Sequence, residues 1–117
     1  MKKIITLIVL CFGLMSFAQD KNAKATIEVD GVCGMCKVRI EKAAIKTKGV
    51  KSAVWSIDTH QLKLIYDARK TNVDSISKNM ALVGHDTELY KATDKAYNSV
   101  DACCKYRDKE VVDAHKN

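Results

Sequence analysis

The sequence predicts an α+β fold in which two helices cover one face of a four-stranded antiparallel sheet. Two observations predict it. Apolar residues alternate with polar ones in the strand segments and recur at helical spacing in two longer segments. Glycines or polar turns separate the segments wherever the period changes. The resulting order of strand, helix, strand, strand, helix and strand is that of the ferredoxin-like βαββαβ sandwich.

The first half of the pattern predicts a strand, a helix and a hairpin. The segment ATIEVDG alternates apolar and polar residues and ends in a turn. Ile40, Ala44 and Thr47 then recur at helical spacing, and Gly49 provides a natural helix end. The segments VKSAVWSI and LKLIYD flank the turn DTHQ as two hairpin strands. The inward faces of the hairpin are expected to carry Ala53, Trp55, Ile57, Leu62, Leu64 and Tyr66.

A second helix and a last strand complete the predicted domain. Thr71 is the expected N-cap, with Asp74 three residues later in place of the glutamate of a capping box. Gly84 closes this helix, and HDTELYKA is the predicted fourth strand. Beyond it, a short helix and then a frayed end are expected. The apolar stripe of the second helix comprises Val73, Ile76, Met80 and Val83.

The first 18 residues are expected to be a secretory signal peptide. A positive MKK start, the apolar run IITLIVLCFGLM and the small residues of SFA are typical of one. The run is too short to span a membrane, so we expect cleavage near Ala18 and Gln19, a periplasmic or secreted product, and no stable membrane insertion. The predicted organisation is a signal peptide at 1–18, a domain at 19–93 and a C-terminal extension at 94–117.

Charge and cysteine content restrict the class of protein. The formal net charge is +6, of which Lys2 and Lys3 belong to the predicted signal peptide. This suits an acidic partner surface, but no basic stripe with interleaved aromatic residues indicates nucleic-acid binding. In an exported protein an even number of cysteines usually indicates disulfides, so stapling of a small interaction module is one alternative. The predicted mature chain keeps Cys33, Cys36, Cys103 and Cys104.

The stretch VDGVCGMCKVRI places Cys33 and Cys36 on a glycine turn before a helix. Haem attachment would require histidine where Lys37 stands. Thioredoxin-like sites carry a cis-proline beside the cysteine pair, and this chain has no proline. Zinc is less favoured because the second pair, Cys103 and Cys104, consists of neighbouring residues, which rarely bind the same tetrahedral ion. A two-thiolate site for copper(I) or mercury(II) remains. We expect the helix dipole and Lys37 to lower the thiol pKa values.

These residues resemble a known family. The stretches VDGVCGMC, IEKA, GVKSAVWSIDTHQLKLIYD and LVGHDT, covering about Ala25 to Lys91, are similar to the heavy-metal-associated domain family. The family includes copper chaperones, domains of copper-transporting ATPases and periplasmic mercury-binding proteins. The resemblance implies a ferredoxin-like fold and a non-enzymatic metal carrier. One departure is Gly31, which stands where the family usually has a methionine.

Three further residues are candidate ligands. His85 follows Gly84, on a loop expected at the same end as Cys33, and is a possible third ligand or gate. Cys103 and Cys104 are possible ligands because exported chains rarely keep idle thiols. Met35 lies between the paired cysteines, with an open role. His60, in the hairpin turn, is expected at the opposite end of the domain.

The sequence therefore predicts an exported protein that binds copper(I) through Cys33 and Cys36. It would pass the ion by thiolate exchange to a partner such as a metal-transporting ATPase or another metal acceptor. Mercury(II) is the alternative cargo. A thiol–disulfide exchange protein is the alternative of another class, with Cys103 and Cys104 as a second redox pair.

Overall fold

The computed structural model describes residues 20–115, so the predicted signal peptide lies outside the described residues. The strands are β1 (Ala23–Glu28), β2 (Val50–Trp55) and β3 (Gln61–Tyr66). The helices are α1 (Gly34–Lys46), α2 (Val73–Leu82), α3 (Asp94–Asn98) and α4 (Lys109–Ala114), with a 3₁₀ turn at Ala102–Cys104 between α3 and α4. Within residues 20–115, no helix combines the length and apolar character needed to cross a membrane.

The three strands form an antiparallel sheet with β3 in the centre and β1 and β2 at its edges. Leu62 of β3 lies opposite Ile27 of β1 and Trp55 of β2. These three side chains and Leu64 are buried, which confirms the predicted alternation because successive residues of a strand face opposite sides. The placement of Ile57 was wrong, since it lies beyond β2 and is exposed.

The two long helices pack against one another and against the sheet. Helix α1 buries Cys36, Ile40 and Ala44, and α2 buries Ile76 and Met80, as helical spacing predicts. These side chains share one hydrophobic core with the buried residues of the strands. The beginning of α1 is thereby fixed against the core, and the cysteine loop stands directly above it.

The start of α2 differs by one residue from the prediction. Asn72, not Thr71, is the N-cap, and its side chain accepts a hydrogen bond from the Ser75 backbone N–H at 2.8 Å. Thr71 is buried instead. Asn and Thr are both good N-caps, so the sequence pattern does not separate the two positions.

The predicted fourth strand is reduced to a single β-bridge between Val29 and Thr87. Thr87 and Tyr90 close a turn, with Thr87 N donating to Tyr90 O at 2.8 Å and Tyr90 N donating to Thr87 Oγ1 at 3.0 Å. The turn takes the chain away from the edge of β1. Ala92 N then donates to the Asp86 side chain at 2.7 Å, and the chain continues into the C-terminal extension.

The C-terminal extension folds back onto the domain. Val100 and Cys104 are buried, and Val111 and Val112 pack against the core from α4. The expectation of a frayed end was therefore wrong for the residues of α4, because its two valines find apolar contacts. The extension thus brings Cys104 to the domain.

Candidate metal centre

The loop between β1 and α1 holds the first two thiols. Cys33 is the N-cap residue of α1, and Cys36 lies in its first turn with its side chain fully buried. Their Sγ atoms are 3.3 Å apart. The Val32 backbone N–H donates to Cys36 Sγ at 3.5 Å. Both sulfurs therefore lie at the positive end of a helix dipole, which favours thiolates.

Trp55 packs against this loop and is hydrogen-bonded to the chain just before it. Its indole Nε1–H donates to the Val29 carbonyl at 3.0 Å. A Cβ atom at Gly31 would lie 3.0 Å from the Trp55 ring and 3.1 Å from Cys36 Cβ. Any side chain at this position would require the ring or the loop to shift by a few tenths of an ångström, so glycine fits the close approach of ring and backbone. The indole fills the space beside the loop at the point where the sequence departs from the family pattern.

The C-terminal extension brings two more thiols to the same place. Cys104 Sγ lies 3.0 Å from Cys33 Sγ, and Cys103 Sγ lies 3.4 Å from it. Cys103 Sγ also lies 3.5 Å from Met35 Sδ. None of the four cysteines in the described range forms a disulfide. Among residues 20–115, the ligand atoms of Cys33, Cys103 and Cys104 form a group within 4.8 Å that could hold a metal ion. Cys36 is not part of this group of three, although its Sγ lies 3.3 Å from Cys33 Sγ.

Tyr106 and Arg107, which follow the vicinal cysteines, fasten the extension to the loop after α2. We call these two residues the tail latch. The Tyr106 hydroxyl donates to Gly84 O at 2.6 Å and accepts from Asp86 N at 2.9 Å. The Arg107 guanidinium donates to Asp86 Oδ1 at 2.7 Å and to the Ala92 carbonyl at 2.8 Å. These contacts hold the 3₁₀ turn against the loop of Cys33.

The four thiols differ in how readily they ionise. Burial would raise the pKa of Cys33, but hydrogen bonds from the Cys104 thiol and from Cys36 and Cys103 lower it to about 7. Burial raises the pKa of Cys36, so the expected lowering was right for Cys33 and wrong for Cys36. Burial also raises the pKa of Cys104, and the hydrogen bond to Cys33 raises the pKa of Cys103. Cys33 is therefore the first of the four to become a thiolate near neutral pH.

The predicted contribution of Lys37 was wrong. Its Nζ donates to Glu41 Oε2 at 2.7 Å and to the Trp55 carbonyl at 2.6 Å. Glu41 in turn accepts from Trp55 N at 2.8 Å. The Lys37 charge is thus paired at the end of β2, and the lowered pKa of Cys33 has its causes in the thiols and the helix start.

His85 lies at the expected end of the domain but outside the converging group. Its Nδ1 lies 2.8 Å from the Asp30 carbonyl oxygen, its ring stacks on Tyr106, and the side chain is fully buried. Burial lowers the pKa of His85, so the imidazole is neutral at pH 7. The expected position of His60 was wrong. It stacks on Trp55 and its carbonyl accepts from Val29 N, so it lies at the same end.

An open groove of about 770 Å³ leads along α1 to the thiols. Cys33 and Cys103 lie in its wall, together with the exposed apolar side chains of Met35 and Val38. Arg39 and Lys42 add positive charge to the same groove and outnumber its one acidic residue, Asp101; His115 of the extension also lines it. The thiols are therefore reached from a surface that is partly apolar and positively charged.

Sequence reasoning missed the tail latch. Tyr106 and Arg107 follow one residue after the vicinal cysteines, but no periodic pattern links Arg107 to Asp86, which lies 21 residues earlier. The one available signal was a tyrosine and an arginine beside CC in a segment otherwise rich in polar residues.

Comparisons with known proteins cover the part of the chain that contains Cys33 and Cys36. The sequence profile described as the heavy-metal-associated domain matches residues 26–86, more than half of the chain. This range includes Cys33 and Cys36 and ends before Cys103 and Cys104, so the vicinal pair lies beyond the matched domain.

Relatives with copper and with mercury in their names are both similar to the chain. A copper-exporting P-type ATPase of Staphylococcus saprophyticus is 32% identical over 71 residues, which cover 60% of this chain but 9% of the ATPase. A mercuric transport protein periplasmic component of Acinetobacter calcoaceticus is 30% identical over 91 residues, which cover 76% of this chain and 98% of that protein.

A solved structure of a CopZ metallochaperone is 29% identical and has a TM-score of 0.54. The match covers 56% of this chain and 98% of the chaperone. The predicted ferredoxin-like fold is thereby confirmed, although the fourth strand of this chain is reduced to a bridge.

Proposed function

The chain belongs to the heavy-metal-associated domain family, and we propose that it is a soft-metal carrier that binds copper(I) through Cys33 and Cys36. The observation that carries the proposal is the convergence of thiols at the start of α1. Cys33 Sγ lies 3.3 Å from Cys36 Sγ and within 3.4 Å of two further thiol sulfurs. Thiolates select copper(I) among the common ions, and no hard oxygen ligand is needed.

In this proposal the C-terminal extension supplies additional ligands. Cys104 is the favoured third ligand, because its sulfur lies 3.0 Å from Cys33 Sγ and because its side chain is fully buried, as that of Cys36 is. Cys103 lies at the edge of the cluster. His85 is the least supported of the candidate ligands because it lies outside the group of converging ligand atoms, although its buried Nε2 has no hydrogen-bond partner among the described residues. The ion would replace the present thiol–thiol hydrogen bonds.

The carrier passes its ion to a partner by thiolate exchange. An incoming thiolate adds to the metal, a bound sulfur leaves, and the ion moves without any change in its oxidation state. No substrate bond is made or broken, so we propose that the protein is not an enzyme. The positive groove containing Arg39 and Lys42 suits an acidic acceptor, such as the metal-binding domain of a transporting ATPase.

Export completes the proposal. The charged and apolar start of the sequence is typical of a signal peptide, so residues 19–93 would form the domain and 94–117 its extension in a periplasmic or secreted protein. The Acinetobacter calcoaceticus relative, named as a periplasmic component of mercuric transport, is similar over 98% of its own length. The same relative supports mercury(II) as the alternative cargo, since mercury(II) shares the preference for sulfur.

Competition with a colorimetric copper(I) chelator tests the proposal. The reduced protein should retain copper(I), and Cys33→Ser or Cys36→Ser should each weaken retention by at least about a hundredfold, because a hydroxyl cannot replace a thiolate toward a soft ion. Circular dichroism provides the control that each variant remains folded. Undiminished retention by either variant would refute the assignment.

The thiol–disulfide alternative has its own support in the four adjacent free thiols and the lowered pKa of Cys33. Reduction of insulin by dithiothreitol separates the two functions. A carrier leaves the uncatalysed rate unchanged, whereas an exchange protein accelerates it.

A further inference from the structure

Resting on the proposed function, we propose that the cluster contains a second, outer subsite for copper(I). Its ligands are Cys103 Sγ, Met35 Sδ and the Cys33 sulfur, which is shared with the inner subsite. The chain would then carry two copper(I) ions. The inner ion uses Cys33, Cys36 and Cys104, and the outer ion lies where the cluster opens to the groove.

The distances place Cys33 at the centre of the cluster. Its sulfur lies 3.3 Å from Cys36 Sγ, 3.0 Å from Cys104 Sγ and 3.4 Å from Cys103 Sγ. Cys103 and Cys104 are 4.0 Å apart at their sulfurs, so they face Cys33 from two directions. A thiolate can bridge two soft ions, and the central position makes Cys33 the bridging sulfur.

Burial divides the five sulfur-bearing residues into two layers. Cys36 and Cys104 are fully buried, whereas Cys103 is half-buried and Met35 is 53% exposed. Met35 does not fill the core, yet its thioether lies 3.5 Å from Cys103 Sγ. Thioether sulfur is a soft ligand of copper(I) and adds no charge. The outer layer therefore offers two sulfurs besides the shared one.

Charge favours a second monovalent ion. With all four cysteines bound as thiolates, one copper(I) leaves the cluster with a net charge of −3 in a poorly solvated place, and a second copper(I) reduces it to −2. This weakens the repulsion among sulfurs that lie 3.0–3.4 Å from Cys33 Sγ. Mercury(II) already carries two charges, so one ion provides the same neutralisation. The two cargoes should therefore differ in stoichiometry.

Native mass spectrometry of the reduced chain tests this subsite. Every chain carries Cys11→Ser, so that all remaining thiols belong to the cluster. Titration should give two copper(I) ions but one mercury(II) ion per monomer. Cys103→Ser should lose the second copper(I) and keep the first, and Met35→Leu should weaken the second by about tenfold or more. Met80→Leu, the same change in the buried core, is the control that keeps both ions.

The outcomes separate this proposal from the function on which it rests. A single copper(I) in the parent chain, or two ions retained unchanged by both Cys103→Ser and Met35→Leu, overturns the outer subsite and leaves the carrier function intact. Two ions found only at the mass of a dimer also overturn it. A parent chain that binds no copper(I) in the titration refutes the proposed function itself.

Discussion

Replacing Tyr106 by phenylalanine should release the C-terminal extension without removing a thiol. The change deletes a hydroxyl that donates to Gly84 O and accepts from Asp86 N, but keeps the ring that stacks on His85. An orphaned buried polar group costs about 1–3 kcal/mol. Because Tyr106 is only half-buried, water can reach part of the gap, and we expect a total of about 2 kcal/mol.

This lost free energy weakens the docking of the C-terminal extension and so favours its local release from the domain. A weakening of about 2 kcal/mol raises the population of the released tail about 30-fold, since each 1.4 kcal/mol corresponds to a factor of ten. Cys104 is fully buried when the tail is docked, so it reacts with iodoacetamide from the released state. The alkylation rate of Cys104 in the reduced, metal-free protein, followed by peptide-resolved mass spectrometry, should rise by the same factor.

Tyr90→Phe is the matched control. It removes another tyrosine hydroxyl, one that donates to the exposed Asp74 side chain at 2.8 Å and lies outside the tail latch. Its alkylation rate at Cys104 should stay within about twofold of the parent protein, as for an exposed side-chain hydrogen bond. A parental rate in Tyr106→Phe, or equal acceleration in both variants, would show that the latch does not hold the tail.

Three further predictions concern the support of the site. Trp55→Phe should lower the unfolding free energy in urea by about 1–3 kcal/mol, because the indole hydrogen bond is lost. Gly84→Ala should lower the thermal midpoint clearly more than Gly34→Ala, since Gly84 has φ +102° and its Cβ would meet a backbone oxygen at 2.7 Å, whereas Gly34 is open. Burial opposes ionisation of Asp86, but the hydrogen bond from Arg107 outweighs it and lowers the pKa of Asp86 below its usual range. The ion pair therefore stabilises the fold fully above about pH 4, and this stabilisation is lost as the pH falls further. Arg107→Gln should flatten this acid decline in stability, measured by urea titration at several pH values.

The sequence patterns predicted the elements that are fixed by burial of one face. Leu62 and Leu64 are buried because alternate residues of β3 face the helices, and Ile76 and Met80 are buried because helical spacing puts them together. The prediction of a fourth strand was wrong for a local reason. Alternation in HDTELYKA gives no sign that Thr87 closes a turn through its side chain.

Part of the site was equally open to prediction, and part was not. Cys33 and Cys36 are three residues apart, so a turn and a helix start are enough to bring their sulfurs together. The approach of Cys104 to Cys33 spans 71 residues and depends on the tail latch. The Asp86–Arg107 ion pair has no periodic signature in the sequence, because the path of the chain after α2 brings the two residues together.

The docked extension has a consequence for the proposed transfer of the ion. A partner thiolate must reach the metal beside Cys33, and Cys104 already lies 3.0 Å from that sulfur. A tethered thiol competes at an effective concentration of about millimolar for a short flexible linker, well above that of a dilute protein partner. The inner ion would therefore exchange more slowly than in a domain with two thiols alone. Cys33 also lines the open groove, so a partner can approach with the tail docked. Opening of the latch would withdraw Cys104 from the competition and speed the transfer, so Tyr106 and Arg107 would influence how readily the ion is released.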